Sequence, residues 1–485
     1  MLPHRNKYVI IWYNKLTIYE VKSMSKHKTR AFRYAKTAFL FLLVTLLIFT
    51  MFACKGLGPR HDGVIELEDE IEIEGEIQFT ISNESGTPAE AAAPTAFANA
   101  FMNKYKNVKV TIDDANRTTY ATRISTGDIG DVFWCDANDA HNYKKNHNAL
   151  MMLDYYKERL GIDIQNVFSG ALASGMIDGR LYMVPRNIGQ QILIYNNDAL
   201  REASITIPSG ENAMSWDQFK ENCRKLTLEE NGTYTQVGAS FKIWWSPVWQ
   251  AFAEGYGGQW IDTVNKKVNF VSDENVMKGI NEIVEACNEG WMKGDVITYT
   301  GQKAQSYAKL SDLDYVFRTF GDLQWITAYG NSYDTAEIDW NFCSFPAFPT
   351  HRVGAGATGY VVYNRTRNVD TAAAFALFFL TEDGQRAYHG TTGGNVPLLK
   401  SLSNEDFWRF RDSKWSDKNF DAFVSYPDSN IPASVIVRGP AEIASILSND
   451  NMMAAFASII NGNKDVQTVF SDLETKCNET WSKLL

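Results

Sequence analysis

Cysteine and histidine are scarce in this chain, which holds six cysteines and seven histidines among 485 residues. Beyond Cys54 the cysteines are far apart, with no Cys-x-x-Cys pair and no histidine at ligand spacing, so we expect no metal site. Their number there is odd, which argues against a full disulfide framework. Cys223 and Cys287 fall on the apolar faces of predicted helices, and we therefore expect them in the core.

Motifs of the common catalytic sites are also missing. The sequence contains no Gly-x-Ser-x-Gly, no P-loop and no His-Glu-x-x-His. We therefore expect a protein that is not an enzyme and that uses no cofactor. A surface glycosidase stays open as an alternative, because its paired carboxylates cannot be recognised from sequence spacing.

Basic residues are in short supply once the N-terminus is set aside. The first 54 residues hold nine Lys or Arg and one Glu, which leaves 38 basic and 56 acidic residues and a net charge of −18 for the rest. Such a surface repels phosphate backbones, so we expect no nucleic-acid partner. Many of the acidic residues lie in Glu66–Glu76, and residues 55–76 are predicted to form an extended, solvated tether.

Long apolar runs are absent except for Thr37–Ala53, which follows a stretch rich in Lys and Arg. This layout is typical of a secretion signal. Cys54 comes directly after the run and resembles the lipid-modified cysteine of a bacterial lipoprotein, although Met51 and Phe52 depart from the usual pattern. We predict that residues 1–54 are the signal region, with Met24 as the start and Cys54 as the lipidated residue. An uncleaved membrane anchor is the alternative, and either places the body at a membrane outside the cytoplasm.

Strand and helix patterns alternate along the first part of the body. Glu76–Ile81 and Val108–Ile112 alternate polar and apolar residues, and Asp131–Cys135 is a nearly continuous apolar strand. Thr87–Glu90 has the residues of a helix N-terminus, and Pro94 is expected to kink or divide the helix that follows. The alternation predicts an α/β fold with a parallel sheet covered on both faces.

A second α/β unit follows the first. Gln191–Tyr195 predicts a strand, and Ser215–Gln218 is a capping box that opens a helix. Further on, Gly359–Asn364 predicts a strand and Thr371–His389 predicts one helix. A chain of 485 residues exceeds the size at which one core keeps growing, so we expect two lobes.

The order of these segments resembles the family 1 extracellular solute-binding proteins of ABC importers, the family that includes maltose-binding protein. The segments that carry the resemblance are Asn103–Val110, Gly127–Trp134, Leu150–Tyr155, Gly179–Asn196, Ser215–Thr227 and Gly359–Leu398. Each is weak alone, and their joint order makes the signal specific. The resemblance implies a two-lobed periplasmic-binding-protein-like fold of type II, each lobe a doubly wound sheet with flanking helices. It also implies a monomer that binds a sugar or oligosaccharide between its lobes and delivers it to the permease subunits of an ABC importer.

The resemblance further implies where the chain passes between lobes. The N-terminal lobe is expected over residues 77–188 and 360–402, and the C-terminal lobe over residues 189–359 and 403–485. Gly354, Gly356 and Gly359 suit a hinge at one passage, because glycine tolerates the backbone rotation that lobe closure requires. A tight turn would use these glycines equally well.

A sugar site needs aromatic rings for stacking and planar polar groups for paired hydrogen bonds. Trp134 and Asp136 end the third predicted strand, where open α/β sheets bind ligands. Trp244 and Trp245 cannot both face inward on a strand, because side chains alternate. The resemblance favours Trp245, which falls where the family places a ligand-contacting residue.

The other candidates follow from family segments or from loops at the expected edges of the cleft. They are Tyr256, Asp322, Trp325, Asn83, Glu84, Asn187, Gln190, Arg352 and Arg438. Core burial is the competing interpretation of Trp134, and a solvated surface that of the polar loop residues. A solute other than a sugar, and a lipoprotein that feeds no importer, also remain open.

Overall fold

The computed structural model describes residues 70–82, 88–210, 212–356, 358–391, 394–409, 414–426, 429–432 and 434–484. The predicted signal region, most of the tether, Cys54, Asn83 and Glu84 lie outside these residues. Within them, no helix combines the length and the apolar character needed to cross a bilayer.

The first lobe is built on a five-stranded sheet with the spatial order β2-β1-β3-β16-β6. Its strands are β1 (Gly75–Ile81), β2 (Val108–Asp114), β3 (Val132–Asp136), β6 (Met183–Pro185) and β16 (Thr358–Val362). The first three run parallel, as predicted, and β16 runs antiparallel between β3 and β6. The helices of this lobe are α1 (Pro88–Lys104), α2 (Tyr120–Thr126), α3 (Ala137–Lys145), α4 (Asp154–Arg159), α5 (Ser169–Ser174), α12 (Val369–Phe378) and α13 (Glu382–His389).

The second lobe is built on a six-stranded sheet with the order β12-β9-β13-β7-β14 and with β8 beside β9. Its strands are β7 (Ile192–Asn196), β8 (Leu228–Glu230), β9 (Thr233–Phe241), β12 (Met292–Gly294), β13 (Tyr315–Phe320) and β14 (Trp340–Ser344). Its helices are α6 (Asn197–Glu202), α7 (Trp216–Leu226), α8 (Ser246–Glu254), α9 (Glu274–Glu289), α10 (Gly301–Ser306), α11 (Ile326–Thr335), α14 (Val435–Arg438), α15 (Ala441–Ile446), α16 (Asn449–Ile460) and α17 (Val466–Ser482).

Three pairs of short strands complete the structure. They are β4 (Met176–Ile177) with β5 (Arg180–Leu181), β10 (Ile261–Asp262) with β11 (Lys267–Val268), and β15 (Val353–Ala355) with β17 (Asn430–Pro432). The third pair is parallel and packs against the start of α8.

Two segments that pass between the sheets run side by side. The chain leaves the first sheet after β6 and enters the second at β7, and it returns from β14 through β15 to β16. Three backbone hydrogen bonds join these passages: Arg186 N to Thr358 O at 2.9 Å, Gly356 N to Gly189 O at 3.2 Å, and Gln191 N to Gly354 O at 3.0 Å. Two of the segments that connect the sheets are therefore hydrogen-bonded to each other.

Each sheet has its own buried core. Phe79, Phe97 and Phe375 pack together under the first sheet, and Trp216, Phe241 and Phe252 pack under the second. A further cluster covers the other face of β7 and β14 and includes Trp340 and Trp408. All five described cysteines are buried and free, and they include Cys223 and Cys287, which were predicted to lie in the core.

One local prediction held and one failed, and Pro94 does not divide its helix. Ser215 and Gln218 form the predicted capping box at the start of α7. Pro94 lies inside α1, which continues through it from Pro88 to Lys104. The single helix predicted over Thr371–His389 is wrong: α12 ends at Phe378, and the Thr381 hydroxyl accepts from Gly384 N at 3.2 Å to start α13. Threonine there caps a new helix instead of continuing the old one.

Candidate functional site

Trp134 lies in the middle of β3, and Asp136 ends that strand, at the edge of the first sheet where the parallel strands end. Its side chain is 3% exposed and belongs to the core of the first lobe. The Arg117 guanidinium carbon lies 5.0 Å from the centroid of the Trp134 ring. Arg117 Nε donates to Asp139 Oδ2 at 2.8 Å, and Arg117 Nη2 donates to Asp136. Asp136 also caps α3 by accepting from Asp139 N at 2.8 Å.

The carboxylates of Asp136 and Asp139 therefore share the guanidinium of Arg117. Burial and the nearby charge of Asp136 raise the pKa of Asp139, whereas Arg117 opposes that rise. Sequence analysis missed Arg117, although a signal was present. Arg117 follows β2, and the carboxyl ends of parallel strands meet at one edge of a sheet.

Trp244 and Trp245 follow β9, which ends at Phe241, so strand alternation does not govern them. Trp244 Nε1 donates to the carbonyl oxygen of Asp295 at 2.6 Å, which fixes that indole to the loop after β12. Trp245 precedes the first residue of α8 and is partly exposed. The ammonium of Lys242 lies 5.8 Å from its ring centroid. Both indoles pack against the core of the second lobe.

Asp322 and Trp325 lie in the turn after β13, again at a strand end. Asp322 accepts from the Asn395 side-chain amide, and Leu323 N donates to Asn395 Oδ1 at 3.2 Å. Trp325 is partly exposed and packs against the cluster around Trp340. Asn395 thus ties this turn to the segment after α13.

Tyr256 is held at a different place in the second lobe. Its hydroxyl donates to Glu282 Oε1 at 2.9 Å, and the ammonium of Lys278 lies 4.2 Å from its ring centroid. Trp216 Nε1 also donates to Glu282, at 2.8 Å, and Lys220 Nζ lies 3.0 Å from the same carboxylate. The structure thus places Tyr256 against α9, apart from the strand ends that carry the other aromatic candidates.

Arg352 and Arg438 meet around one buried carboxylate. Arg438 forms an ion pair with Glu254 and donates to Gln250 Oε1 at 2.8 Å, and Arg352 Nε lies 3.8 Å from Glu254 Oε2. The guanidinium of Arg438 also lies 5.1 Å from the ring centroid of Trp260. The competing interpretation of a solvated surface does not fit Arg438, whose side chain is 19% exposed. The reason is α8, which carries Gln250 and Glu254 to this position one turn apart.

The passage between β6 and β7 carries a row of buried polar side chains. Gln190 Nε2 donates to Ala422 O at 3.1 Å and to Ser425 Oγ at 3.2 Å. The side-chain carbonyl oxygens of Asn187, Gln190 and Gln191 are buried without a hydrogen-bond partner among the residues that the structure describes. Each such acceptor costs about 1–3 kcal/mol. Gln191, which sequence analysis missed, is placed against Gly321, beside the turn that carries Asp322.

Arg186 joins the passage to both lobes. It is 5% exposed, and it donates from Nε to Thr358 Oγ1 at 2.6 Å, from Nη1 to the Tyr388 hydroxyl at 2.9 Å, and from Nη2 to Gln324 Oε1 at 3.1 Å. Burial lowers its pKa, but Tyr388, Tyr360 and Asp322 outweigh burial and raise it. Sequence analysis did not single out Arg186, because the sequence alone does not show its partners.

His389 completes this buried network as a neutral imidazole. Its Nδ1 accepts from Asn395 N at 2.9 Å, so the proton is on Nε2, which donates to Arg186 O at 3.0 Å. Burial lowers its pKa to about 3. The imidazole therefore connects the passage to the segment that holds Asp322.

Two of the three predicted hinge glycines are packed against backbone. A Cβ at Gly354 would lie 2.2 Å from Pro247 O, and a Cβ at Gly359 would lie 2.1 Å from Val184 O. A Cβ at Gly356 would meet open space. The small size of Gly354 and Gly359 thus has a packing reason that is independent of any hinge.

A cavity lies beside a hydrogen bond that links helix α3 of the first lobe to the segment before α14. Ser434 Oγ donates to Asn138 Oδ1 at 2.9 Å, which links α3 to the segment before α14. A cavity of about 330 Å³ beside this bond is lined by Asn138, Ser246 and Ser434, and otherwise by residues of α14 and α15 and of the turn that leads into α16. Asn138 lies two residues after Asp136, and Ser246 directly follows Trp245. The cavity therefore lies between α3, the start of α8 and the helices α14 to α16.

The family of the chain follows from its sequence as well as from this architecture. The family model described as bacterial extracellular solute-binding protein matches residues 83–386. The chain belongs to the bacterial extracellular solute-binding protein family. The two-lobed α/β fold with doubly wound sheets agrees with this assignment, and the family is extracytoplasmic.

Solved structures share the fold of this solute-binding protein at low identity. The sugar-binding protein MalE from Xanthomonas citri is 15% identical with a TM-score of 0.65, over 84% of this chain and 98% of that one. An ABC substrate-binding protein from Listeria monocytogenes, in complex with cycloalternan, is 15% identical with a TM-score of 0.64, over 84% and 99%. MalE from Bdellovibrio bacteriovorus bound to maltotriose is 14% identical with a TM-score of 0.59, over 84% and 99%. No curated protein sequence matches the chain.

Proposed function

We propose that this solute-binding protein captures a sugar or oligosaccharide between its lobes and delivers it to the permease subunits of an ABC importer. The observation that carries the proposal is the cavity lined by Asn138 and Ser246, which lie close in sequence to the candidates Asp136 and Trp245. Aromatic rings at strand ends and buried amides at the passage are the groups that sugars need. The solved structures named above include proteins bound to cycloalternan and to maltotriose.

The proposed ligand-binding groups are those at the strand ends and along the passage. They are Trp134, Asp136, Trp244, Trp245, Asp322, Trp325, Asn187 and Gln190, together with Asn83 and Glu84 after β1. Tyr256, Arg352 and Arg438 are weaker members, because each is bound to a carboxylate within the second lobe. Closure would rotate the lobes about the paired passages, with Gly356 as the glycine that has room to move.

A thermal-shift screen against mono- and oligosaccharides tests the proposal. A ligand that binds the folded state raises the unfolding temperature by mass action. We expect a shift with at least one sugar, one-to-one stoichiometry in calorimetry, and unchanged sugar in product analysis. Hydrolysis of the sugar would instead establish the glycosidase alternative, and binding only by non-sugar solutes would replace the ligand class.

The anchor is proposed on the sequence alone. The apolar run before Cys54 supports a lipoprotein held at the outer face of the cell membrane, with the acidic segment as its tether. Mass spectrometry of the protein from the native membrane tests this, because lipidation adds acyl mass to a peptide that begins at Cys54. Cys54→Ala is expected to abolish that mass, and an unmodified Cys54 in the wild type would contradict the anchor. Size-exclusion chromatography of the body is expected to give a monomer.

A further inference from the structure

We propose that Arg117 determines specificity at the first-lobe wall: its guanidinium occupies the face of Trp134 on which a neutral sugar ring stacks, and moves off that face when the sugar binds. This inference rests on the proposed function, and it adds both a residue and a ligand class to it.

The exposures of the two side chains indicate which one faces solvent. Trp134 is 3% exposed, whereas the side chain of Arg117 is 39% exposed and lies with its guanidinium carbon 5.0 Å from the ring centroid. Arg117 therefore lies on the solvent side of an indole that is otherwise enclosed by the core. The Trp134 ring therefore becomes available for stacking only when Arg117 moves.

The anchors of Arg117 allow that movement without loss of the residue from the site. Asp136 is fixed as the cap of α3, and Asp139 lies in the first turn of the same helix. Both accept from Arg117, at separate nitrogens. A guanidinium that gives up its bond to one of these carboxylates can pivot away from the ring, while the bond to the other carboxylate keeps it beside the site.

The same anchors decide the class of sugar. Asp136 and Asp139 place two carboxylates beside the Trp134 ring against one guanidinium. A uronic acid stacked there would bring a third carboxylate to this wall, and like charges at such distances repel. A neutral pyranose offers hydroxyl donors to the same oxygens. The ligand unit at Trp134 is therefore an uncharged sugar.

The variant Arg117→Gln tests whether Arg117 covers the Trp134 ring, and Arg224→Gln is the matched control. Arg224 also lies over an indole, 5.9 Å from the Trp291 centroid, and also pairs with a carboxylate, Glu289, but it lies on α7 in the second lobe. Acrylamide quenching of tryptophan fluorescence is expected to rise in Arg117→Gln, and this rise is expected to vanish when Trp134→Phe is added.

Affinity is measured by calorimetry with maltotriose, cellotriose and mannotriose, and with trigalacturonate as the acidic probe. We expect Arg117→Gln to bind the neutral trimer that the wild type binds about 3 to 10 times more tightly, because no cation–π contact has to be broken. We expect Arg224→Gln to leave that affinity unchanged. Trigalacturonate is expected to bind neither protein.

Each other outcome has a distinct meaning. If Arg117→Gln binds the neutral trimer with weaker or unchanged affinity, or if acrylamide quenching is unchanged, the claim that Arg117 covers the Trp134 ring is overturned. Wild-type binding of trigalacturonate in preference to the neutral trimers overturns the ligand class and leaves the proposed function intact. If no sugar binds the wild type, the proposed function fails, while the quenching experiment still decides whether Arg117 shields Trp134.

Discussion

At the scale of single residues, the sequence predicted residue types better than it predicted contacts. Trp134 lies within β3, and Trp245 and Trp325 lie in the segments that follow β9 and β13, while their part in a binding site stays a prediction. The partners of the polar candidates were not predictable, because Glu254 and Arg438 are distant in the chain and meet only through the packing of α8. Arg186 was missed for the same reason, whereas the position of Arg117 after β2 was a signal that sequence analysis did not use.

Trp245→Ala is expected to weaken binding of the preferred sugar by about 1–3 kcal/mol, the order seen when an aromatic anchor is lost. Calorimetry measures the affinity, and circular dichroism confirms that the fold is retained. Trp244→Phe is the comparison, because the Trp244 indole is fixed to Asp295 O and is expected to contribute less to binding. Unchanged affinity in Trp245→Ala with an intact fold would remove Trp245 from the site.

His389 is expected to make stability sensitive to mild acid. The unfolded imidazole takes up a proton near its usual pKa of 6.5, whereas burial keeps His389 neutral until about pH 3. The contribution of neutral His389 to the free energy of unfolding is therefore fully present above pH 6.5. It falls as the pH drops towards 3, by about 1.4 kcal/mol per pH unit.

Urea denaturation of the wild type and of His389→Gln, measured between pH 7 and pH 4, checks this dependence. The variant is expected to show a shallower loss of stability in acid than the wild type. His147→Gln is the control, because that histidine is only partly buried. Equal slopes in the wild type and in His389→Gln would show that His389 is protonated in the folded protein.

At the scale of helices and strands, long alternating patterns gave the right elements and local capping decided their ends. β1, β2 and β3 were predicted with ends within two residues of those observed. The break between α12 and α13 was missed, because an apolar pattern continues across it while Thr381 starts a new helix. Hydrogen bonding at one residue outweighed periodicity there.

The contact between α7 and α9 offers a test at this scale. Burial raises the pKa of Glu282, but hydrogen bonds from Trp216, Lys220 and Tyr256 outweigh burial and hold that pKa below its usual 4.5. The ionised carboxylate therefore stabilises the fold above pH 4.5, and this contribution is lost as the pH falls through the lowered pKa.

Glu282→Gln is expected to lower the free energy of unfolding at pH 7 by about 1–2 kcal/mol, because part of the carboxylate remains solvated. The difference from the wild type should shrink as the pH falls below 4. Glu285→Gln on the exposed face of α9 is the control and should change little. If Glu282→Gln lowers the free energy of unfolding by the same amount below pH 4 as at pH 7, the charge of Glu282 plays no part in stability.

At the scale of the whole molecule, the two-lobed architecture was predictable and the joining of the lobes was not. Length, alternating patterns and the order of the family segments predicted two doubly wound sheets, which the structure contains. The side-by-side passages and the Arg186 network depend on residues that are distant in sequence, such as Thr358 and Gln324. The predicted lobe boundaries remain a prediction.

The hydrogen bond between Asn138 and Ser434 joins the lobes, so its removal should favour their separation. Asn138→Ala and Ser434→Ala are each expected to speed sugar release a few-fold, since such a bond contributes about 0.5–1.5 kcal/mol. Stopped-flow fluorescence measures the release rate. The double variant should be no faster than the faster single variant, because both changes remove one bond. Additive effects would show that the two residues act separately.

A crystal structure of the protein with the sugar that binds it most tightly tests the central claim most directly. We predict electron density for the sugar in the cavity between Asn138 and Ser246, in contact with side chains of both lobes. Density on the outside of one lobe would contradict the claim. The groove of about 760 Å³ between the β10–β11 hairpin and α17, lined by Lys266 and Asn478, is one such place.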